Sequence, residues 1–460
     1  MDSIGLSPFR CLGIGLIGFL VAAGCALAQK PGTPPLSAND VSWLFPAPVR
    51  AADFDNLISM RDLATRKSRD QKNSDRVWPD AVFKQFLAIA ASPAAQAGGN
   101  QIGLPAEAQS IDAWYIAGIR MDAGAPGLSD DIRGQFGQSP EIRLIVQPVT
   151  RNADGTPKVL DFAVHLIFDF VGKADNPAQT GCLPRPTPDL AAFKEIVAEL
   201  AALRTKLSKG SLGSRVITSG VPLGLHPGLA DASTARKVRQ EMQSFLERHV
   251  SAERLDAMAI VGIPAGAPAP WMFLSMEKVP AGAVPALPNG GFVPVPGPTL
   301  DGQHFAQMLN LVGKVPPVVP APNTNNLNPI TCSNAAAPGG LPVAGRRGSS
   351  TTELFVSPPP AAANAKVILD LIADPAKSHF FNTDCVSCHT ETRRAMDLLP
   401  LNQIAVVSGI NPAVLPNSDW NVRNFGWSPV GAQAQSTVTR RTAAETAAVV
   451  EYINSKLLPK

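Results

Sequence analysis

The chain has 460 residues, 45% of them hydrophobic, and a formal net charge of +3. That length implies two to three domains, and the apolar content suffices for packed cores, which excludes a disordered chain. The small charge and the lack of any Lys/Arg cluster argue against a nucleic-acid partner. With 44 Pro and 37 Gly, long stretches should be loop or extended linker.

Residues 1–28 read as a secretory signal: Arg10 ends a polar start, Cys11 to Ala23 is apolar, and Ala26-Leu27-Ala28 is an A-x-A cleavage site. An uncleaved anchor is the alternative, although the apolar run is short of the roughly 20 residues a span needs. A third reading is a lipoprotein, with Val21-Ala22-Ala23-Gly24-Cys25 as a lipobox and a lipid anchor at Cys25. Residues 29–50 are Pro-rich and aperiodic, which predicts an extended arm or tether, with regular structure starting near residue 51.

Strands are expected over Glu141–Arg151 and Lys158–Val171, joined through an Asp154-Gly155 hairpin step. Leu160, Phe162, Val164, Leu166, Phe168 and Phe170 share one parity and should face a core. The opposite face carries Asp161, His165 and Asp169, which suggests either a metal site or a half-solvated face with scattered charge; the second is the simpler reading. Thr187-Pro188-Asp189 predicts a cap opening a helix that buries Leu190, Phe193, Val197, Leu200, Leu203 and Leu207. Another helix is expected from Ala232 to Val250, and a strand pair over Asp256–Ile263 and Trp271–Lys278. Interleaved hairpins and helices make residues 51–278 an α+β domain. It carries no G-x-S-x-G, phosphate loop or H-E-x-x-H, so its role has no named residues. His226, in Gly224-Leu225-His226-Pro227-Gly228-Leu229, reads as part of a surface turn, with presentation of the imidazole as the alternative.

Residues 279–360 are dense in Pro, Gly, Ala and Asn, which predicts a linker or wrapping segment, with a short helix over Gln303–Leu311. Cys182 and Cys332 both lie in loops, and a disulfide between them is chemically allowed in an exported protein.

The most specific signal is Asp384-Cys385-Val386-Ser387-Cys388-His389: two thiols three apart, followed directly by an imidazole. Each thiol of such a pattern can add to one vinyl group of a porphyrin, leaving His389 as the proximal iron ligand, so one covalent haem c is the expected cofactor. A redox dithiol and half of a zinc site are the competing readings, and no second ligand pair for zinc stands nearby.

Residues 361–460 resemble a class I cytochrome c domain beyond the motif itself. Phe381 stands four residues before the first haem Cys, Thr442 and Glu445 form a capping box, and Thr446, Val449, Val450, Ile453 and Leu457, with Tyr452, pattern a final helix. The resemblance implies a small all-α haem domain, here expected to be separable, in a periplasmic or otherwise exported mono-haem cytochrome. Electron transfer to a redox partner protein is the implied function; a peroxidase- or oxidase-type haem enzyme and a haem-linked sensor are the alternatives. The family pattern fails at the sixth ligand, because no Met or His follows Met396. Met396, a His such as His226 lent by the upstream domain, a weak ligand such as Asn424, and an open iron all remain. Arg393, Arg394 and Arg423 suit the haem propionates, and Trp420 and Trp427 suit the crevice wall.

Overall fold

The computed structural model describes residues 34–65, 76–92, 96–97, 100–101, 104–123, 140–171, 188–262, 270–279, 281–282, 287–294 and 306–308. In the C-terminal part it describes 366, 369–370, 372–375, 389, 391–393, 395–396, 399–400, 403–404, 408–417, 421, 423–429, 431 and 433–458.

The chain is a mixed α+β structure built on an antiparallel sheet. Order begins earlier than residue 51: α1 (Ala38–Val41) leads directly into strand β1 (Ser42–Leu44). Trp43, Leu44 and Phe45 are fully buried. Each of the last two contributes roughly 1.5–3 kcal/mol by leaving water, which explains why a Pro-rich segment without periodicity is nevertheless fixed. Next come α2 (Asp80–Ala90), a small hairpin of β2 (Gln96–Ala97) and β3 (Asn100–Gln101), and then β4 (Trp114–Asp122), β5 (Glu141–Arg151), β6 (Pro157–Val159) and β7 (Phe162–Asp169). Helices α3 (Leu190–Ser208), α4 (Pro227–Ala230) and α5 (Ala235–His249) precede β8 (Leu255–Gly262) and β9 (Pro270–Val279). The sheet runs β1-β4-β5-β7-β8-β9 and ends on β10 (Gly291–Pro294); β6 pairs with β5, and β11 (Ala306–Met308) with β9. Thus Ala306–Met308 is a strand rather than part of a helix, and residues counted as linker extend the sheet.

Helix α3 starts one step later than its Pro suggests. The cap is Asp189, whose carboxylate accepts from the Ala192 amide at 3.0 Å, with Pro188 outside the helix.

The two faces of the sheet follow from strand register. Trp43, Ile119, Leu144, Leu166 and Met258 stand side by side across five strands. They face α3 and α5, as shown by Trp43 meeting Phe245 edge-on at 5.2 Å. Gly118, Ile145, His165 and Ala259 form the matching row on the other face. Near Gly118 and Ile145 that face is buried under the C-terminal hairpin, whereas His165 and Ala259 on it are half-buried.

Within the C-terminal region β12 (Phe425–Ser428) and β13 (Gln435–Val438) form an antiparallel hairpin, followed by α6 (Arg440–Tyr452) and one π-helical turn, Ile453–Leu457. The described C-terminal residues are therefore not all helical, and a class I cytochrome c domain is not what they display. The Phe425 ring lies where a Cβ on Gly118 would meet it at 2.6 Å, so the hairpin sits directly on the sheet backbone. The N-terminal arm is tied in too: Asn454 exchanges two hydrogen bonds with the Leu36 backbone at 2.8 and 2.9 Å, and Trp427 Nε1 donates to Phe45 O at 2.9 Å. Phe425, Trp427, Val449 and Ile453 belong to the same continuous core as the sheet. Packing between described residues before 294 and after 366 is continuous.

Helix α6 opens on Thr439, whose hydroxyl accepts from the Thr442 amide at 3.5 Å, and not on a Thr442/Glu445 box. Glu445 instead reaches the sheet, pairing with Arg120 at 2.6 Å and with Arg441 at 2.7 Å. Among the described residues no helix is long and apolar enough to cross a membrane.

Candidate functional site

Of the haem motif, only His389 is among the described residues; Cys385 and Cys388 lie outside them. Phe381, Arg394, Trp420, the loop cysteines Cys182 and Cys332, and the 1–28 segment with Cys25 lie outside them as well. His389 is half-buried and helical, and helical residues continue at 391–393 and 395–396. This turn is locked to the start of α6. Thr392 Oγ1, fully buried, accepts from the Arg440 amide at 2.8 Å and donates to Glu391. Arg440 in turn reaches Glu391 at 3.7 Å and bonds Asp370. Burial pushes the Glu391 carboxyl up to about 7, against the pull of Arg440, the Thr392 hydroxyl and Arg441. The residue two positions after His389 is thus held on both sides, which fixes the backbone that carries the imidazole.

His165 stands on the sheet in the row that also holds Gly118, Ile145 and Ala259. Burial first, then the positive charges of Arg143, His389, Arg120 and Arg423, hold the His165 pKa well below the ordinary imidazole value. The His165 side chain makes no hydrogen bond to a described residue.

Three arginines surround it. Arg120 and Arg143 stand opposite one another on β4 and β5, a like-charge pairing that is unfavourable unless anions intervene. Glu445 serves Arg120 at 2.6 Å, and Glu141 serves Arg143 at 2.6 Å. Burial disfavours the Arg143 cation, but Glu141, Glu445 and Asp122 more than offset it and raise its pKa. Arg423, only 3% exposed, pairs with Asp161 of the sheet. Burial raises the Asp161 carboxyl and lowers the Arg423 guanidinium, each against the attraction of the other. The charges are paired, yet the donors are not exhausted. Buried Nε atoms of Arg120, Arg143 and Arg423, and Nη1 of Arg423, have no acceptor among the described residues. A buried donor without an acceptor costs about 1–3 kcal/mol, more when charged. Donors in this number suit an anionic group with several oxygens, such as the two propionates of a haem. The residues present therefore fit the cofactor that the sequence motif implies.

Other expected site residues are placed differently. His226 is neither on a surface turn nor offered as a ligand. It is 1% exposed, its Nδ1 accepts from the Gly228 amide at 3.2 Å to cap α4, and its ring meets Trp43 edge-on at 6.5 Å. Trp43 points to the helix face of the sheet, so His226 belongs to the layer opposite the arginines. Its pKa falls to about 3 through burial alone. Met396 is half-buried against the core. Asn424 is committed to α6: its carbonyls accept from the Thr439 amide and hydroxyl and from the Thr442 hydroxyl. Trp427 packs between hairpin and sheet, and Arg393 is half-buried on the turn after His389. Asp161, His165 and Asp169 do not form a metal cluster, nor does any group of three or more His, Cys, Asp or Glu among the described residues.

Arg120 and Arg143 were not singled out from the sequence. The available signal was two arginines inside strands that are otherwise apolar, since a strand with charge set into a nearly continuous hydrophobic run is covered on both faces.

No protein-family model, curated protein or solved structure matches the chain significantly.

Proposed function

We propose that this chain is an exported mono-haem c-type cytochrome that transfers electrons to a redox partner protein. The observation that carries the reading is the Cys385-Val386-Ser387-Cys388-His389 run, which supplies two thioether positions and a proximal ligand in five residues. Two structural features support it: the fixed helical turn after His389, and the unspent guanidinium donors of Arg120, Arg143 and Arg423. A bound haem supplies a one-electron redox centre. The protein's part is to exclude water with Ile145, Phe425 and Trp427, and to set the charge around the cofactor through the three arginines and their carboxylate partners. Export rests on the signal in residues 1–28, with lipid attachment at Cys25 as the variant form of the same localisation.

Oxidised and reduced absorption spectra of the full chain, made with export and haem-maturation machinery, test this function. A c-type spectrum that cycles reversibly between the two states is expected. A colourless chain, or one that turns over hydrogen peroxide rapidly while failing to pass electrons to a soluble acceptor, overturns electron transfer.

A further inference from the structure

Between α3 and the loop that follows it the fold leaves a cavity of about 180 Å³, with Pro34 of the N-terminal arm in its wall. Helical spacing brings Arg204, Thr205 and Ser208 to one side of α3, and the loop adds Arg215, Thr218 and Ser219. The wall therefore offers two guanidinium groups and four hydroxyls, and among the described residues no acidic side chain lines it. Val216 N donates to Leu207 O at 3.0 Å, which pins the loop to the end of the helix and holds the two parts of the wall together.

Several of these groups are unspent. Arg204 bonds Ser219 through Nη2 and stands 3.7 Å from Asp40 through Nε, but its Nη1 is shut off from water and has no acceptor among the described residues. The Asp40 carboxylate is itself taken by the Ser37 amide and hydroxyl, both at 2.7 Å, so it only partly answers the guanidinium. Thr218 is 2% exposed, and its buried hydroxyl also lacks a partner among the described residues. Exposed Arg215 makes no ion pair with a described residue. A buried donor left in this state is costly unless an ion or water occupies the space beside it.

We propose that this cavity binds a small oxyanion of the phosphate type. Guanidinium groups pair with such oxygens two at a time, and hydroxyls donate to the remainder. One nearby carboxylate against two arginines leaves the cavity positive, which favours an anion over a neutral solute. The volume is below the range of about 300–1,000 Å³ that encloses drug-sized ligands, so the occupant has few atoms. Thr205, Arg215 and Ser219 are exposed, which gives it a way in from solvent. Bound there, the anion links α3, the loop and the arm, and stabilises the folded chain by mass action. The site shares no residue with the haem reading and is independent of it.

The probe is inorganic phosphate, added to the full chain at constant ionic strength and followed by calorimetry and by the denaturant midpoint. Saturable binding of one phosphate per chain is expected, with a midpoint that rises as phosphate is added. Arg215→Gln should weaken binding by about tenfold and Thr218→Val by roughly fivefold, because each removes a donor. Thr218→Ser keeps the hydroxyl and should keep the affinity. Arg61→Gln removes an exposed charge outside the cavity and should leave the affinity unchanged. If Thr218→Val does not fold, Arg215→Gln and Arg61→Gln decide the matter. Absence of saturable binding, or equal affinity in Arg215→Gln and the native chain, overturns the proposal. So does an equal loss in Arg61→Gln, which would show attraction to net charge alone, and so does competition by acetate as strong as by phosphate.

Discussion

Gln147 of β5 holds Trp427 of β12 by both backbone groups, donating from Nε2 to its carbonyl at 2.8 Å and accepting at Oε1 from its amide at 2.6 Å. A side-chain amide here does the work of a strand neighbour, so the C-terminal hairpin docks on the sheet with its buried backbone satisfied. The fit leaves no room at the preceding residue. Gly426 has φ +144°, and a Cβ there would stand 2.6 Å from Gln147 Oε1.

Gly426→Ala should therefore destabilise the full chain by roughly 2–4 kcal/mol, combining backbone strain with loss of the amide pairing. Gly155→Ala is the control for a positive φ, because its φ of +82° lies near the left-handed region that Ala enters at modest cost and nothing lies within 4 Å. It should cost only about 1 kcal/mol. Denaturant unfolding of both variants measures the difference; equal losses would show that the docking contact contributes nothing.

The packing across residue 361 predicts that a fragment of residues 361–460 does not fold alone. It would expose Phe425 and Trp427 and leave Arg423, 3% exposed in the whole chain, without Asp161. The fragment should show no cooperative unfolding transition and should aggregate, whereas the full chain unfolds cooperatively. A soluble fragment with its own sharp transition would restore the separable domain that the linker composition suggests.

Buried Arg423, just before the hairpin, pairs with half-buried Asp161 at the start of β7. Removing one partner strands the other, so Asp161→Asn should lower stability by about 3–5 kcal/mol. Asp161→Leu combined with Arg423→Met should recover much of that, because neither charge is then buried unpaired. Unfolding free energies of the single and double variants give the coupling, and strict additivity would refute it.

His226 gives the chain a specific acid sensitivity. Its folded pKa is depressed to about 3, below the unfolded value of 6.5, so the unfolded chain takes up the proton first as pH falls. The contribution is complete above pH 6.5 and is lost progressively between 6.5 and 3, at up to about 1.4 kcal/mol per pH unit. His226→Gln keeps an acceptor for the Gly228 amide and removes this proton. Its stability should fall less steeply than the native chain's between pH 6.5 and 4.5, as followed by denaturant midpoints.

The strands of the sheet and the two long helices were legible because their periodicity is strong: β5, β7, β8, β9, α3 and α5 lie within a few residues of where alternation and helical spacing put them. The α+β class followed from them. Residues 34–47 were misread, because their order comes from distant partners such as Asn454, Ser436 and Trp427 rather than from local pattern. The same cause hid the candidate site. Asp161 and His165 were visible on one parity of β7, but whether that parity meets water or protein depends on a hairpin more than 250 residues later. Composition made His226 look like a surface turn, whereas Trp43 buries it.

Haem attachment through Cys385 and Cys388 is tested most directly by the intact mass of the exported, matured full chain. A single species heavier than the processed polypeptide by one haem is expected, retained through denaturation, with normal two-thioether attachment lost in Cys388→Ala and kept in Cys182→Ala. An intact mass equal to that of the bare processed chain, under conditions in which a known c-type cytochrome matures alongside it, would contradict haem attachment.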